Sequence, residues 1–400
     1  MADNKGIPAQ FPIVFNSQEE LEAYRRRTEE VRREAPKDWV EAPNGVFYPP
    51  DTQEAQTTSV SPSVTPAQIM EHKKGFSTIR QGQSTNALSR ISNAKGNDIV
   101  KVDPISGTAT IESGSLTMTI PKFSTLSDVK TSTHQFFDAI VIAFTESGAK
   151  SPTVFLAVEE YMNRRGLKDR KEARKQIVAD ANALLRLPPI TWDEIQGKQK
   201  IPYAGVNIVD SWGWADKEKT TIQFTFTQGF YGVLLRYPVM AYPDQLQRVN
   251  SNNNPNSYYL LRKIAEHKNM NVGKRNENII AVKTLLKSSP YLPSYETVMK
   301  GNRNIRSRII DPFERDMDFL AETLGWELCK SLGEPFTEEE LDELYDYKNY
   351  SRAYVKITWR DYPDQNARLK EIAERKEEAK KKRRARSKKK KEPQATEDPG

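Results

Sequence analysis

Three histidines, one cysteine and a rich supply of lysine and arginine bound the chemistry open to this chain. His72, His134 and His267 stand far apart, so the spacing contains neither an H-E-x-x-H zinc site nor an adjacent histidine pair for metal-dependent strand nicking. Cys329 is alone, which excludes an intrachain disulfide and a cysteine-based zinc site and fits a reducing compartment. No G-x-x-x-x-G-K-[ST] phosphate loop and no G-x-S-x-G nucleophile turn occurs. A magnesium-dependent nuclease assembled from acids distant in sequence stays open, but no spacing points to one. The expectation is a protein that is not an enzyme and takes neither cofactor nor metal.

The basic residues offer a different chemistry, the recognition of polyanions. Lys300, Arg303, Arg306 and Arg308, with Asn304 among them, sit at and just after a helix start. Backbone N–H groups there also favour phosphate. Arginine matches guanine O6 and N7 with two hydrogen bonds, and lysine neutralises phosphate. At 100° per residue, Lys171, Lys175, Asn182 and Arg186 fall opposite Ala173, Ile177, Ala181 and Leu184. Asn304, Arg308 and Arg315 likewise lie opposite an apolar stripe that starts at Ile305. The plainer alternative is a pair of solvated charged faces, with arginines paired to Asp311 or Glu314 on their own helix.

The densest run is Lys380, Lys381, Lys382, Arg383, Arg384, Arg386, Lys388, Lys389, Lys390 and Lys391. Setting these ten cations aside turns the net charge of +7 into −3, so any basic face on the body arises from local clustering. Such a run binds DNA, RNA, acidic proteins or anionic lipid, or serves as a nuclear address, and nonspecific polyanion contact with steep salt dependence is the preferred reading.

The elements that position these residues follow from periodicity. Residues 1–97 read as mostly disordered, rich in Pro, Ser, Thr, Gln and Asn after Ala35, with a surface helix from Ser17 to Glu34 marked by the Ser17/Glu20 capping box. Order is expected from Asp98, with strands at Ile99–Val102, Thr108–Glu112 and Leu116–Ile120, then a helix Ser132–Glu146 with one buried face. A short apolar stretch at Val154–Leu156 leads into a helix ending at Arg165. Gly166 forms a turn, and Asp169–Arg186 is a second helix stopped by Pro188 and Pro189. Val206–Val209 and Thr220–Thr227 read as strands around the polar tip Asp216–Lys219. The aromatics Trp212, Trp214, Phe224, Phe226, Phe230 and Tyr231 gather around this ribbon, and core packing is preferred over base stacking for them.

Asn250–Asn256 marks a boundary, after which the pattern restarts. Ser257–His267, Ile279–Lys287, Ser294–Lys300 and Asn302–Leu324 read as helical, with Pro312 kinking the last or starting a new helix. Trp326–Cys329 and Tyr354–Trp359 read as strands on either side of an acidic insert, Thr337–Asp346. The division is therefore 1–97 N-terminal region, 98–249 first domain, 250–363 second domain and 364–400 charged helix with basic tail.

Helix, short helix, tight turn, second helix and two-stranded ribbon is the order of a winged helix, and it occurs twice. The fold class is α+β, mainly α, with two tandem winged-helix domains. With Glu159–Leu185, Ser257–His267, Ile305–Leu320 and Val355–Pro363 carrying the likeness, the chain over 98–363 resembles replication initiator proteins of plasmids and other mobile elements. The resemblance implies that the C-terminal winged helix reads origin repeats in the major groove, while the N-terminal one dimerises and contacts flanking DNA. It implies a monomer–dimer equilibrium and recruitment of host replication proteins. Carried over, Asn304, Arg306 and Arg308 are base or phosphate readers, and Lys171, Arg174 and Lys175 are contacts of the first unit. The departures are the long N-terminal region, the basic tail and above all the acidic insert, which must point away from a duplex unless its wing is unused.

The expectation is a cytoplasmic protein, with no signal-peptide pattern at its start and no apolar run long enough for a membrane, that binds double-stranded DNA at a replication origin. The alternatives are a winged-helix transcriptional regulator and an RNA- or polyanion-binding structural protein acting through its tail.

Overall fold

The computed structural model describes residues 40–41, 47–48, 73–91, 100–113, 116–123, 129–196, 199–301, 304–364, 374 and 377. The chain divides into two compact units, Met1–Val64 and Thr65–Gly400. In the first, β1 (Val40–Glu41) and β2 (Phe47–Tyr48) pair antiparallel, Val40 opposite Tyr48. The expected helix Ser17–Glu34, Arg303 and the tail 380–391 lie outside the described residues.

The second unit contains β3 (Phe76–Arg80) and α1 (Gln83–Leu88), in a stretch expected to be unstructured. β3 pairs antiparallel with β12 (Val239–Pro243), Phe76 opposite Pro243. Its polar groups find partners far away in sequence. The Arg80 backbone N–H donates to Thr145 Oγ1 at 3.0 Å, and the guanidinium donates to the carbonyls of Leu235 and Tyr237 at 2.9 and 3.0 Å. Local composition carries no trace of such bonds, so the expectation of order from Asp98 is corrected: folded chain is already present at Phe76.

β4 (Val100–Val102), β5 (Ala109–Ser113) and β6 (Leu116–Ile120) follow the predicted strands. They join β8 (Ile190–Gln196) and β9 (Gln199–Val206), a hairpin that periodicity missed, in a five-stranded sheet of order β4-β5-β6-β8-β9. Charged residues after Trp192 interrupt the apolar alternation that marks a strand. The helix α2 (Thr131–Glu146) is buried on nearly all sides, where one buried face was expected. Its residues meet two different layers, so both sides are covered.

Two winged helices are built on this frame. The first is α2, β7 (Thr153–Ala157), α3 (Val158–Arg165), α4 (Arg170–Leu185), then β10 (Val209–Trp214) and β11 (Thr221–Phe226). The three strands form a sheet of order β10-β11-β7, with Ile222 opposite Leu156. Phe224, Phe226 and Phe230 are buried, and Phe136 meets Phe224 edge-on at 6.0 Å, so these rings pack the core. The helices α5 (Gln228–Arg236) and α6 (Gln245–Arg248) lead onward.

The second winged helix is α7 (Ser257–Met270), β13 (Ile279–Ala281), α8 (Val282–Lys287), α9 (Tyr295–Lys300), α10 (Asp311–Asp318), β14 (Leu324–Cys329) and β15 (Tyr354–Trp359). Its sheet repeats the order, β13-β15-β14. The stretch Ile279–Lys287, expected to be helical throughout, is a strand followed by a helix, because Ile279–Ala281 pairs with β15. Proline at 312 lacks an N–H and clashes with the carbonyl four residues back. The chain answers with one widened turn, Arg306–Ile310, in which the Asp311 N–H reaches the Arg306 carbonyl. The helix therefore continues through the proline instead of breaking.

A buried cluster links the first helices of the two winged helices. The Asp138 carboxylate on α2 accepts from Tyr242 at 2.7 Å, from Tyr258 on α7 at 2.6 Å, and from Arg262 on α7. Burial pulls the Arg262 pKa down, but Asp138 and the two phenols outweigh it and hold the guanidinium above its ordinary value.

Candidate nucleic-acid interface

In the first winged helix, α3 ends at Gly166, whose left-handed φ of 66° makes the turn that a side chain would strain. Asp169 then caps α4 by accepting from the Glu172 N–H at 2.8 Å. The exposed start of α4 presents Lys168, Arg170 and Lys171 in succession, with Lys175 one turn on. Lys171 makes no hydrogen bond or ion pair among the described residues. Lys175 has only Glu172, at 3.9 Å on the same helix and with its own side chain 79% exposed, a contact worth little in water.

Arg174 and Asn182 are placed differently. Arg174 donates from Nε to the Lys219 carbonyl at 2.9 Å and from Nη2 to the Glu218 carbonyl at 2.5 Å. It ties α4 to the tip of the β10–β11 hairpin. Lys219 there has a left-handed φ of 55°, unusual without glycine. Asp216 steadies the same turn, accepting from the backbone N–H groups of Thr220 and Thr221 at 2.8 Å each. Those bonds hold its carboxyl below the usual range. Asn182 accepts from Trp212 Nε1 at 3.2 Å, which locks β10 against α4. Both residues position the wing. Lys217 and Lys219 at its exposed tip, like Lys168, escaped the helix-face argument because they lie outside the periodic segment, and Arg170 because it falls on the Ala173 side of the wheel.

In the second winged helix, Asn304 Oδ1 accepts from the Arg306 N–H at 2.9 Å and Ser307 Oγ donates to the Asn304 carbonyl at 3.2 Å, which caps the helix that begins at Ile305. Lys300, at the end of α9, and Arg308 are exposed and unpaired among the described residues. Arg306 is engaged: its Nε lies 3.3 Å from Asp311, and its guanidinium sits 4.9 Å from the centre of the Tyr345 ring in the acidic insert. Arg315 donates twice to Asp316 Oδ1, at 3.0 and 2.9 Å. Asp316 is fully buried and also accepts from Asn256, so Arg315 supplies its countercharge. Lys283 and Lys287, four apart on α8, are exposed cations that the sequence reading passed over although their spacing is a face signal.

Among the described residues, no group of three or more His, Cys, Asp and Glu is arranged to hold a metal ion, and no helix is long and apolar enough to cross a membrane. His134 is buried between α2 and α7, with its Nε2 2.7 Å from the Ile91 carbonyl, and burial pushes its pKa down to about 4.

The repeated element order and the repeated strand order define a tandem winged-helix protein. No protein-family model matches the chain, and no curated protein matches it in sequence. Among solved structures it is similar to the WH1 domain of MSBI1.176, a replication protein isolated from a multiple sclerosis patient. There the identity is 13% over 32% of this chain and 90% of that one, with a TM-score of 0.22. It is also similar to domains 2 and 3 of RctB in two structures. One is 11% identical over 68% of this chain and 98% of that one, with a TM-score of 0.36. The other is 10% identical over 71% and 99%, with a TM-score of 0.34.

Proposed function

We propose that this chain binds duplex DNA through its two winged helices, at the repeats of a replication origin, and so initiates replication of a plasmid or other mobile element. One observation carries the DNA reading. A helix, a strand, further helices and a hairpin, with the same strand pairing, occur twice in one compact unit, the second time with one extra helix, α9. Each time the start of the reading helix is exposed and has free cations beside it: Lys171 in the first unit, Lys300 and Arg308 in the second. Helix starts of this kind favour phosphate through their N–H groups, and side chains at that end reach base edges in a major groove. The origin, a monomer–dimer equilibrium and host replication proteins as partners come with the resemblance to plasmid initiators over residues 98–363. A division at 98–249 and 250–363, the first extended by the β3–α1 segment, belongs to the same proposal.

The test is binding to DNA flanking the gene against scrambled duplex at two salt concentrations, for the full chain and for a version ending at Ala379. The truncated protein is expected to keep its preference for the flanking DNA. Loss of preference together with all affinity would assign binding to the tail and sink the reading.

A further inference from the structure

The insert between β14 and β15 does not point away from the reading helix of the second unit. After its first helix, α11 (Glu338–Glu343), Tyr345 and the second helix, α12 (Tyr347–Arg352), lie against one flank of it. Tyr345 lies over the Arg306 guanidinium. The Tyr350 hydroxyl donates to Glu314 Oε1 at 3.0 Å, and Tyr347 stacks on Tyr295 of α9 at 4.7 Å and 10°. These contacts span the start and middle of the helix and the element before it.

What the insert brings there is negative charge. Glu338, Glu339, Asp342 and Glu343 are exposed, and none is needed to hold the fold: α11 has no buried residue. Glu340 alone is tied, to Lys330 at 2.7 Å. Carboxylates beside a duplex phosphate backbone repel it within a Debye length, about 8–10 Å at ordinary ionic strength. On the reading helix, the half-exposed Arg306 meanwhile contacts both Asp311 and Tyr345.

The anchoring is confined to a few side chains, chief among them Tyr350, buried edge-on to Phe313 at 6.3 Å. Leu344 and Tyr350 are its buried points between Thr337 and Arg352. Beside α12 opens a cleft of about 570 Å³, lined by Lys283, Leu292, Tyr295, Ile309 and Tyr347, so the insert is not packed into a core on that side. Few buried contacts over open space is the signature of a segment with a low opening free energy.

Resting on the DNA-binding reading above, we propose that the acidic insert is an autoinhibitory flap, which withholds Arg306 and repels DNA from the second reading helix until it is displaced.

The test uses the full chain and measures affinity for duplex DNA at about 50 mM and about 500 mM monovalent salt. E338Q/E339Q/D342N/E343Q removes four charges without touching the insert's side-chain anchors. It is expected to tighten binding on the order of tenfold at low salt, with the gain vanishing at high salt. Tyr345→Ala is expected to tighten binding through Arg306, so its gain disappears in an Arg306→Ala background, a coupling that a purely structural tyrosine does not produce. No gain at low salt from either variant overturns the flap. If Arg306→Ala and Arg308→Ala weaken binding while the insert variants change nothing, the flap fails and the DNA reading stands. If none of the four alters affinity, the DNA reading of this unit fails with it.

Discussion

Arg308 is the exposed arginine of the second reading helix that no neighbour engages among the described residues. If it contacts a guanine, Arg308→Ala lowers affinity for the true site by about 1–3 kcal/mol and leaves random DNA little changed. An equal, small loss on both would make it a phosphate contact. His134 sets a pH dependence of stability. Its pKa in the folded protein, about 4, lies below the 6.5 of an ordinary histidine. As pH falls from 6.5 towards 4, the unfolded chain takes up a proton that the folded chain refuses, so stability falls across that window, by roughly 3 kcal/mol at most. Above 6.5 the effect is absent. Denaturant unfolding of the wild type and His134→Gln at a series of pH values measures it, and an equally steep acid-side slope in the variant would remove His134 as the cause. The residue types were legible: arginines and lysines gathered on particular helices. Their availability was not. Arg174, Asn182, Arg306 and Arg315 each look free on a helical wheel, and each meets a partner in the structure, two of them on the wing hairpin far along the chain.

At the scale of elements, the link between reading helix and wing is open to test. Arg174 spans two carbonyls with a planar guanidinium, which an ammonium group cannot imitate though it keeps the charge. Arg174→Lys is expected to loosen the β10–β11 tip, seen as faster amide exchange at Thr220 and Thr221, and to weaken DNA binding nearly as much as Arg174→Ala. Wild-type affinity in the lysine variant would instead make Arg174 a phosphate contact. Strong local signals located several elements well: the Gly166 turn, the stop before Pro188 and Pro189, and the strand at Thr221–Phe226. The failures share a cause. β3, β8, β9 and β13 are short or polar, and each is a strand because of the neighbour it pairs with.

For the whole molecule, the buried Asp138–Arg262 pair between α2 and α7 ties the first winged helix to the second. Asp138→Ala strands a buried guanidinium, and a cost of about 3–5 kcal/mol is expected in equilibrium unfolding. Replacing the charge pair and its phenol donors together, Asp138→Leu and Arg262→Met with Tyr242→Phe and Tyr258→Phe, is expected to cost less, because neither a charge nor a hydroxyl is then left unpaired. A combined variant as unstable as the single would show that packing, and not the charge pair, joins the units there.

The sequence by itself determined that the chain carries two helix–turn–helix patterns followed by ribbons, that lysines and arginines gather on particular helices, and that an acidic segment interrupts the second ribbon. Those are properties of residue type and near-neighbour spacing, and helical and strand periodicities register them directly. The tertiary structure decided which cations remain free, that residues 76–91 belong to the fold, and that the acidic insert lies against Arg306 instead of away from it. Each of these depends on a contact between groups dozens of residues apart or on opposite strands of a hairpin. Such contacts are set by how whole elements pack to cover one another's apolar faces, and no local pattern encodes them.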